Sequence, residues 1–505
     1  MNVIDRLVGY FAPHAALRRR AARSVLAQYE AAEPSRMRKF RRERGSQNEV
    51  VQLGAAAVRA QVRHLARNHD LARGALRTLV NNIVGAAGIG IEPQPRRLDG
   101  TIDSEYAAAL VEAYRDWCRR PEVTHRLPWS RLQRAMVRAW VRDGEIFAQM
   151  ITGPVAGVDH GSRVPFSLEA FEADYVPLEL NDPKRGIVQG VQRNQWGKPL
   201  AVHVLKGDVS SPALPSSSGA TKPVPWDRVL HLATLDHIGQ IRGVSEFASV
   251  ITRLEDIKEY EESERIAAKI AASLSAYVKR GTPDLYDPEN APAPGSRSIE
   301  FRPGMVIDDL AIGEEIGMID SNRPNPNLIT FRQGQLRAAA AGWGASYSSV
   351  SKDYNGTYSA QRQELVEQWS SYAVLCDEFT GEIVQPVWEN FVSAAHLSGA
   401  VRMPADLQPG TADDALYVAQ SMPWIDPLKE ANAWKVLVET NQASEVEAIR
   451  RRGGNPRDVL EQRAEFRRAA EEIGVPLSSA PGGGRMMRTT MPPDALPAVA
   501  DPHRW

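Results

Sequence analysis

At 505 residues the chain exceeds one ordinary core, and at about 100–200 residues per domain two to four domains are expected. Its 43% hydrophobic and 24% charged residues are those of a soluble globular protein, which excludes wholesale disorder. Sixty-one Lys and Arg against 62 Asp and Glu give a net charge of -1, arguing against a generic nucleic-acid coat, and two cysteines, Cys118 and Cys376, make neither a disulfide framework nor a zinc site.

Charge is uneven along the chain. Residues 1–80 hold sixteen Arg and Lys against six Asp and Glu, so the remainder is acidic. Ile4, Leu7, Val8 and Phe11 repeat at helical spacing with Arg18–Arg20 behind them, the reverse of a secretory leader. That segment reads as a helix docking on a protein surface, with a membrane-surface anchor as the alternative. The basic arm, residues 1–45, is densest at Arg36, Arg38, Lys39, Arg41, Arg42 and Arg44. Such a run binds phosphates or an acidic partner, or is simply solvated. No apolar run approaches the roughly 18 residues of a membrane span, so no membrane partner is expected.

From Glu49 to about Val84, apolar residues (Val58, Val62, Leu65, Leu71, Leu76, Leu79, Val80, Ile83) keep helical spacing, with a break near Asn68–Asp70. Gly85–Gly90 turns the chain into a short strand ending at Pro93. Helices are predicted over Ser104–Trp117 and Trp129–Arg142, then a turn at Asp143-Gly144 and a strand over Glu145–Ile151. Further on, Phe166–Phe171, Ile187–Arg193, Ala201–Leu205 and Arg228–Leu232 read as strands, and Ser210–Pro225 as a mobile Ser/Pro loop. The pattern is α+β with a mostly antiparallel sheet. Ser245 as N-cap, with Glu246 in the first turn, opens a proline-free helix to about Val278, roughly 45–50 Å long. It carries Glu255, Asp256, Glu259, Glu261, Glu262 and Glu264 against Arg253, Lys258, Arg265 and Lys269. Residues 280–326 read as a small Pro- and Gly-rich lobe with strands at Ser298–Phe301 and Met305–Leu310. A helix follows from Leu328 to about Gly342, with a packing face of alanines at 338–341. Then come a Gly- and Ser-rich break over 342–357 and a helix from Ser359 to about Ile383, stopping before Pro386. Residues 399–424 read as extended, Asp426 to about Arg452 and Asn455–Ile473 as helical, and Pro476–Trp505 as disordered unless a partner orders it.

Motifs of chemistry are missing. There is no GxxxxGK[ST], no GxSxG elbow and no HExxH, and Gly85–Gly90 reads GxxGxG after a helix, a structural turn. The ten histidines are scattered, with His231 and His237 too far apart to share a helix face. Asp308-Asp309 and Asp413-Asp414 offer Mg²⁺ ligands to a nuclease, or are solvated loop acids. No catalytic residue, metal ligand or cofactor is expected, and a structural or mechanical role gains weight; a metal-dependent nuclease or DNA-processing enzyme is the alternative.

One constellation is specific. Asp320-Ser-Asn-Arg-Pro-Asn-Pro-Asn327, Gln335-Leu-Arg-Ala-Ala-Ala-Ala-Gly-Trp-Gly344 and Ser348-Ser-Val-Ser-Lys-Asp-Tyr-Asn-Gly-Thr-Tyr-Ser-Ala-Gln-Arg362 together closely resemble the portal proteins of lambda-type tailed bacteriophages. So do Asn68-His-Asp-Leu-Ala-Arg-Gly-Ala-Leu-Arg77, Asn81-Asn-Ile-Val-Gly85, Gly239-Gln-Ile-Arg-Gly-Val-Ser245 and Asp426-Pro-Leu-Lys-Glu430. The likeness covers most of residues 50–475, with one departure at Ala345-Ser346, where that family commonly has Val-Pro.

The resemblance implies an α+β, predominantly helical fold in a ring of twelve copies at one capsid vertex, non-enzymatic, passing double-stranded DNA in packaging and ejection. On that pattern residues 46–243 are a wing, 244–278 the first stem helix and 279–326 a clip. Residues 327–343 are the second stem helix, 344–357 a tunnel loop, 358–398 a helix crossing the wing, 399–475 crown helices and 476–505 a flexible tail. Implied partners are other copies of the chain, DNA, the large terminase subunit, head–tail adaptor proteins, and major capsid and scaffold proteins. The implied location is the virion, with the host cytoplasm during assembly. Twelve helices at about 10 Å spacing leave a hole of about 28 Å, enough for a B-form duplex. A conduit that must release DNA needs an acidic or neutral wall, for which Glu255, Glu259 and Glu262 are candidates; i,i+4 or inter-subunit pairing of these acids is the alternative. Tyr347, Lys352, Tyr354 and Asn355 are the candidate DNA contacts of the tunnel loop, whose glycines and serines suggest mobility. For Lys352, pairing with Asp353 or with a neighbouring subunit is the alternative. Arg38, Lys39, Arg41 and Arg42 of the arm contact capsid, scaffold or DNA on this reading.

Overall fold

A computed structural model describes residues 46–206, 221–272, 276–280, 314–318, 327–422 and 426–474. The basic arm, residues 207–220, the strands expected within 298–310 and the tail from residue 475 lie outside the described residues.

In chain order, α1 (Gln47–Asn68) and α2 (Asp70–Ile83) are divided at His69, whose extended backbone (φ -117°, ψ 119°) produces the expected break. Ser46 caps α1 by accepting from the Glu49 N–H. Next come β1 (Gly90–Pro93), α3 (Ser104–Trp117), α4 (Trp129–Asp143), β2 (Glu145–Thr152) and β3 (Phe166–Glu172). Asp103 caps α3 through the Glu105 and Tyr106 N–H groups.

The expected strand Ile187–Arg193 is instead a hairpin, β4 (Ile187–Val188) and β5 (Val191–Arg193), turning at Gln189 (φ 53°) and Gly190 (φ 78°). It continues into β6 (Pro199–Leu205) and β7 (Thr221–Pro225), so the end of the expected Ser/Pro loop is a strand, held by antiparallel pairing of Thr221 with Leu205 and Pro225 with Ala201. After β8 (Val229–Ala233) the helix α5 runs over Ile251–Ala272. This corrects both ends of the expected helix. Residues 246–250 are turns with i→i-3 bonds such as Ala248 N–H to Ser245 O, and the buried Ser245 hydroxyl accepts from Phe247 N–H (3.1 Å) while donating to Val141 O. At the far end, Ala276–Arg280 forms β9, antiparallel to β10 (Glu314–Met318).

The returning helix α6 spans Leu328–Trp343. The break after it contains a short helix, α7 (Tyr347–Ser351), before α8 (Tyr358–Phe379). A π-turn over Thr380–Val384 then leads into α9 (Gln385–Leu397), so helix does not stop before Pro386. Widening to the i→i-5 bond from Gln385 N–H to Thr380 O accommodates the proline, which lacks an N–H and stands in the first turn of α9. The chain closes with β11 (Ala415–Val418), α10 (Pro427–Glu439), α11 (Glu445–Arg451) and α12 (Pro456–Ile473). The fold is α+β and predominantly helical.

The chain divides into two compact units. The first comprises residues 1–76, 139–149 and 170–343. Its core packs Phe147, Phe171, Val176, Val202, Val204, Val224 and Val229, with Tyr175 and Trp226 against them. Its sheets are the four-stranded β4-β5-β6-β7 and the pairing of β2 with β8, Glu145 opposite Ala233. The second unit comprises residues 77–138, 150–169 and 344–505. Its core is aromatic: Tyr114, Trp117, Phe166, Trp388 and Phe391 lie with neighbouring centroids 5.1–5.9 Å apart. The Trp117 and Trp388 indoles donate to Phe166 O (2.8 Å) and Asp413 O (2.7 Å), satisfying their N–H groups.

Candidate functional site

Immediately before α5 the chain is anchored by a buried ion cluster that sequence reasoning missed. Arg242, fully buried, commits all its guanidinium donors: to Glu145 (2.7–3.0 Å), Val176 O (3.0 Å), Gln189 O (2.7 Å) and Ala173 O (3.2 Å). Glu145, fully buried, also accepts from Arg59 (3.1 Å), His231 (3.1 Å) and the Gly243 N–H (3.1 Å). Burial opposes its charge, but Arg242 and His231 outweigh that and hold the carboxyl well below the usual carboxylate range. One turn along α1, Arg63 grips Asp143 (3.0 and 2.7 Å), which Arg142 grips as well (2.7 and 2.6 Å). Asp143 is likewise held low: burial acts to raise it, and the two arginines overcome burial. Over this cluster two backbones cross so closely that a Cβ on Gly243 would stand 2.0 Å from Gly144 O. That crossing is the physical content of the Arg242-Gly243 motif, and it fixes where α5 departs.

Helices α5 and α6 pack antiparallel. Phe247 meets Trp343 (5.3 Å between centroids) and Tyr260 meets Phe331 (4.9 Å), Arg332 pairs with Glu261, and Val250 Cγ1 lies 2.6 Å from where a Gly342 Cβ would stand. Of the four alanines, Ala339 and Ala340 are buried, with Leu336 and Trp343 completing the packing face. Leu254, Ile257 and Glu264 line the buried side of α5. Glu255, Glu259 and Glu262 repeat at i, i+4, i+7 on another face, all exposed. Glu262 pairs with Arg265 (3.6 Å), whereas Glu255 and Glu259 have no ion-pair partner among the described residues.

The segment after α6 carries local hydrogen bonds around its glycines and serines. Ser346 caps α7 by accepting from the Ser349 N–H, Ser348 N–H donates to Glu364 (3.0 Å), and Gln368 donates to Gly344 O. Ser346 is the cap among these serines. Lys352 ends α7 in a left-handed conformation (φ 58°) with an exposed side chain. It makes no ion pair with Asp353 among the described residues; that carboxylate takes the Tyr347 hydroxyl (3.1 Å) and the Asn355 N–H (3.2 Å). Tyr354 and Asn355 are exposed, while Tyr347 is half-buried. These four residues share one segment of the second unit, whereas the three α5 acids belong to the first. Arg38, Lys39, Arg41 and Arg42 lie outside the described residues. Among the described residues no three His, Cys, Asp or Glu side chains gather as a metal site, and no helix is long and apolar enough to cross a membrane.

The model of the family "Phage portal protein, lambda family" matches residues 33–375. The chain belongs to the lambda family of phage portal proteins. Among curated relatives of this family, the probable portal protein of Halomonas phage phiHAP-1 is 23% identical over 451 residues, covering 86% of this chain and 84% of its own. Portal protein B of Escherichia phage lambda is 21% identical over 450 residues, covering 80% of this chain and 82% of its own. Solved structures similar to the chain include one of the virion of a native gene transfer agent particle (12% identical, TM-score 0.41, 86% of this chain and 99% of that one). Another is the neck of that particle computed with C12 symmetry (13% identical, TM-score 0.42, 78% and 93%). Lambda-family portal proteins are structural and non-enzymatic, and membership sets the nuclease alternative aside.

Proposed function

We propose that this portal protein assembles as a twelve-subunit ring whose central channel carries double-stranded DNA into and out of a capsid while another protein supplies the work. The exposed, largely unpaired acidic stripe Glu255, Glu259 and Glu262 carries the reading of α5 as channel wall: negative carboxylates repel a polyanion at every radial position, so the duplex slides without being held. The antiparallel pair α5/α6 is the stem on this reading, the strands β9 and β10 belong to the clip, residues 344–357 form the tunnel loop and residues 399–475 the crown. Lys352, exposed beside Tyr354 and Asn355, gives each copy one weak phosphate contact that grips and releases. The partners are the large terminase subunit and then head–tail adaptors at the clip, with major capsid and scaffold proteins around the wing. The protein acts at the capsid vertex of the virion after assembly in the host cytoplasm.

Negative-stain imaging of the purified full chain tests this directly. Rings with a hole of about 28 Å, the width that about 10 Å helix spacing gives for twelve copies, are expected. A monomer by light scattering, or particles closed at the centre, overturns it.

A further inference from the structure

We propose that the tip of the β5–β6 hairpin is a docking site for an acidic protein segment, with Trp196 as its anchor; the inference stands apart from the channel reading. Trp196 is 86% exposed, whereas Trp117, Trp129, Trp140, Trp343 and Trp388 are buried. The turn that carries it is rigid. The Asn194 side chain accepts from the N–H groups of Trp196 (2.9 Å) and Lys198 (2.9 Å). Asn194 N–H donates to Lys198 O (2.9 Å) and Gly197 N–H to Asn194 O (3.0 Å), with Gly197 at φ 82°. A large ring held out on a pre-ordered turn loses little freedom when it is buried by a partner, the condition under which an aromatic anchor contributes most.

Cations surround the tip. Lys184 and Arg185 stand in a single 3-10 turn that lies beside it, because Gly186 O accepts from Arg193 N–H (2.9 Å) and Arg185 O from the Gln192 side chain (3.2 Å). With Arg193 and Lys198 these make four positive side chains, none in an ion pair among the described residues, and the Arg193 Nε is buried with no hydrogen-bond partner among them. Asp182, the acid of that same turn, is spent on capping the Lys184 and Arg185 N–H groups (3.1 and 3.3 Å). Leu200, 47% exposed just beyond the turn, adds an apolar shelf. An occupant must therefore offer carboxylates to the collar and apolar side chains to Trp196 and Leu200. A paired duplex offers no open face for an indole to stack on, and phosphates gain nothing from Leu200, so a protein segment fits where DNA does not.

The test uses the assembled full chain with a fluorescently labelled synthetic peptide of repeating Glu and Leu, read by anisotropy, beside a labelled oligo-dT strand. Saturable peptide binding is expected, weakening with salt and falling about tenfold or more in W196A and in the doubly reversed K184E/R185E, with oligomeric mass unchanged. The exposed positions of these residues make folding of both variants checkable by circular dichroism. Oligo-dT binding as tight as the peptide and equally sensitive to W196A assigns the tip to nucleic acid and overturns the proposal. Loss of oligomeric mass in W196A makes it a contact between copies and does the same, as does peptide affinity that neither variant alters.

Discussion

Two residues carry opposite demands. Glu145 is a charge that stays buried only because Arg242, Arg59 and His231 surround it, so removing it leaves Arg242 without a counter-charge inside the first unit, while Arg59 keeps Asp174. E145Q is expected to cost about 3–5 kcal/mol, read as a lowered urea midpoint, because an unpaired buried charge is far costlier than the pair was favourable. Its lowered pKa, like that of Asp143, also sets the pH response. A carboxyl held lower when folded than when unfolded stabilises fully above its unfolded value and loses that contribution as pH falls toward its folded one. Acid titration of the full chain is therefore expected to show stability declining below about pH 4.5, with a shallower decline in E145Q. Lys352 is the converse case, an exposed cation on a left-handed backbone that an L-residue adopts at a cost of about 1 kcal/mol. K352G and K352A are both expected to fold and assemble while changing DNA retention, with K352G melting no lower than K352A. Failure of either to assemble makes the segment architectural.

At the scale of elements, what was legible followed local signals. The bounds of Ser104–Trp117 emerged because Asp103 caps that helix and Leu110, Ala113, Tyr114 and Trp117 give it one buried face. The β4–β5 hairpin was hidden because Gln189 occupies a positive-φ turn position that Asn or Gly normally advertises, held by the Asn181 carbonyl on its N–H and by Arg242 on its own carbonyl. The start of α5 was misplaced because the Ser245 hydroxyl, which accepts from Phe247 N–H while donating to Val141 O, caps the turns over 246–250 and not the α-helix itself. The ion cluster was illegible because its members at 59, 145, 231 and 242 meet only through the fold; the Arg242-Gly243 motif marked it without saying why. The π-turn likewise hid behind a proline that reads as a stop. It adds a residue that sets the rotation of α9, and so which side chains enter the aromatic core. Deleting Gly381 and Glu382 together, one residue more than the bulge can give up, is expected to turn α9 by about 100° and unseat Trp388 and Phe391, both fully buried. At about 3–5 kcal/mol for each lost aromatic, the second unit should fail to fold, seen as loss of near-ultraviolet circular dichroism. Retention of that signal means that the helix absorbs the deletion elsewhere.

For the molecule as a whole, the near-neutral sum of charge matters less than its placement. The basic excess sits in the first 80 residues, while α5 presents three acids on one exposed face. If copies of that face surround a duplex, reversing it should convert a slippery wall into an adhesive one. Each lysine facing a phosphate releases counterions, so binding gains a salt slope of about -0.9 per contact. E255K/E259K/E262K is expected to fold normally, since all three side chains are exposed and only the Glu262–Arg265 pair is lost, itself an exposed contact of about 0–1 kcal/mol. The reversed ring should retain linear double-stranded DNA at low salt, release it steeply as salt rises, and stall translocation in a packaging reaction with its motor. An unaltered packaging rate together with unaltered DNA affinity places these acids away from the path of the duplex and removes α5 from the channel wall.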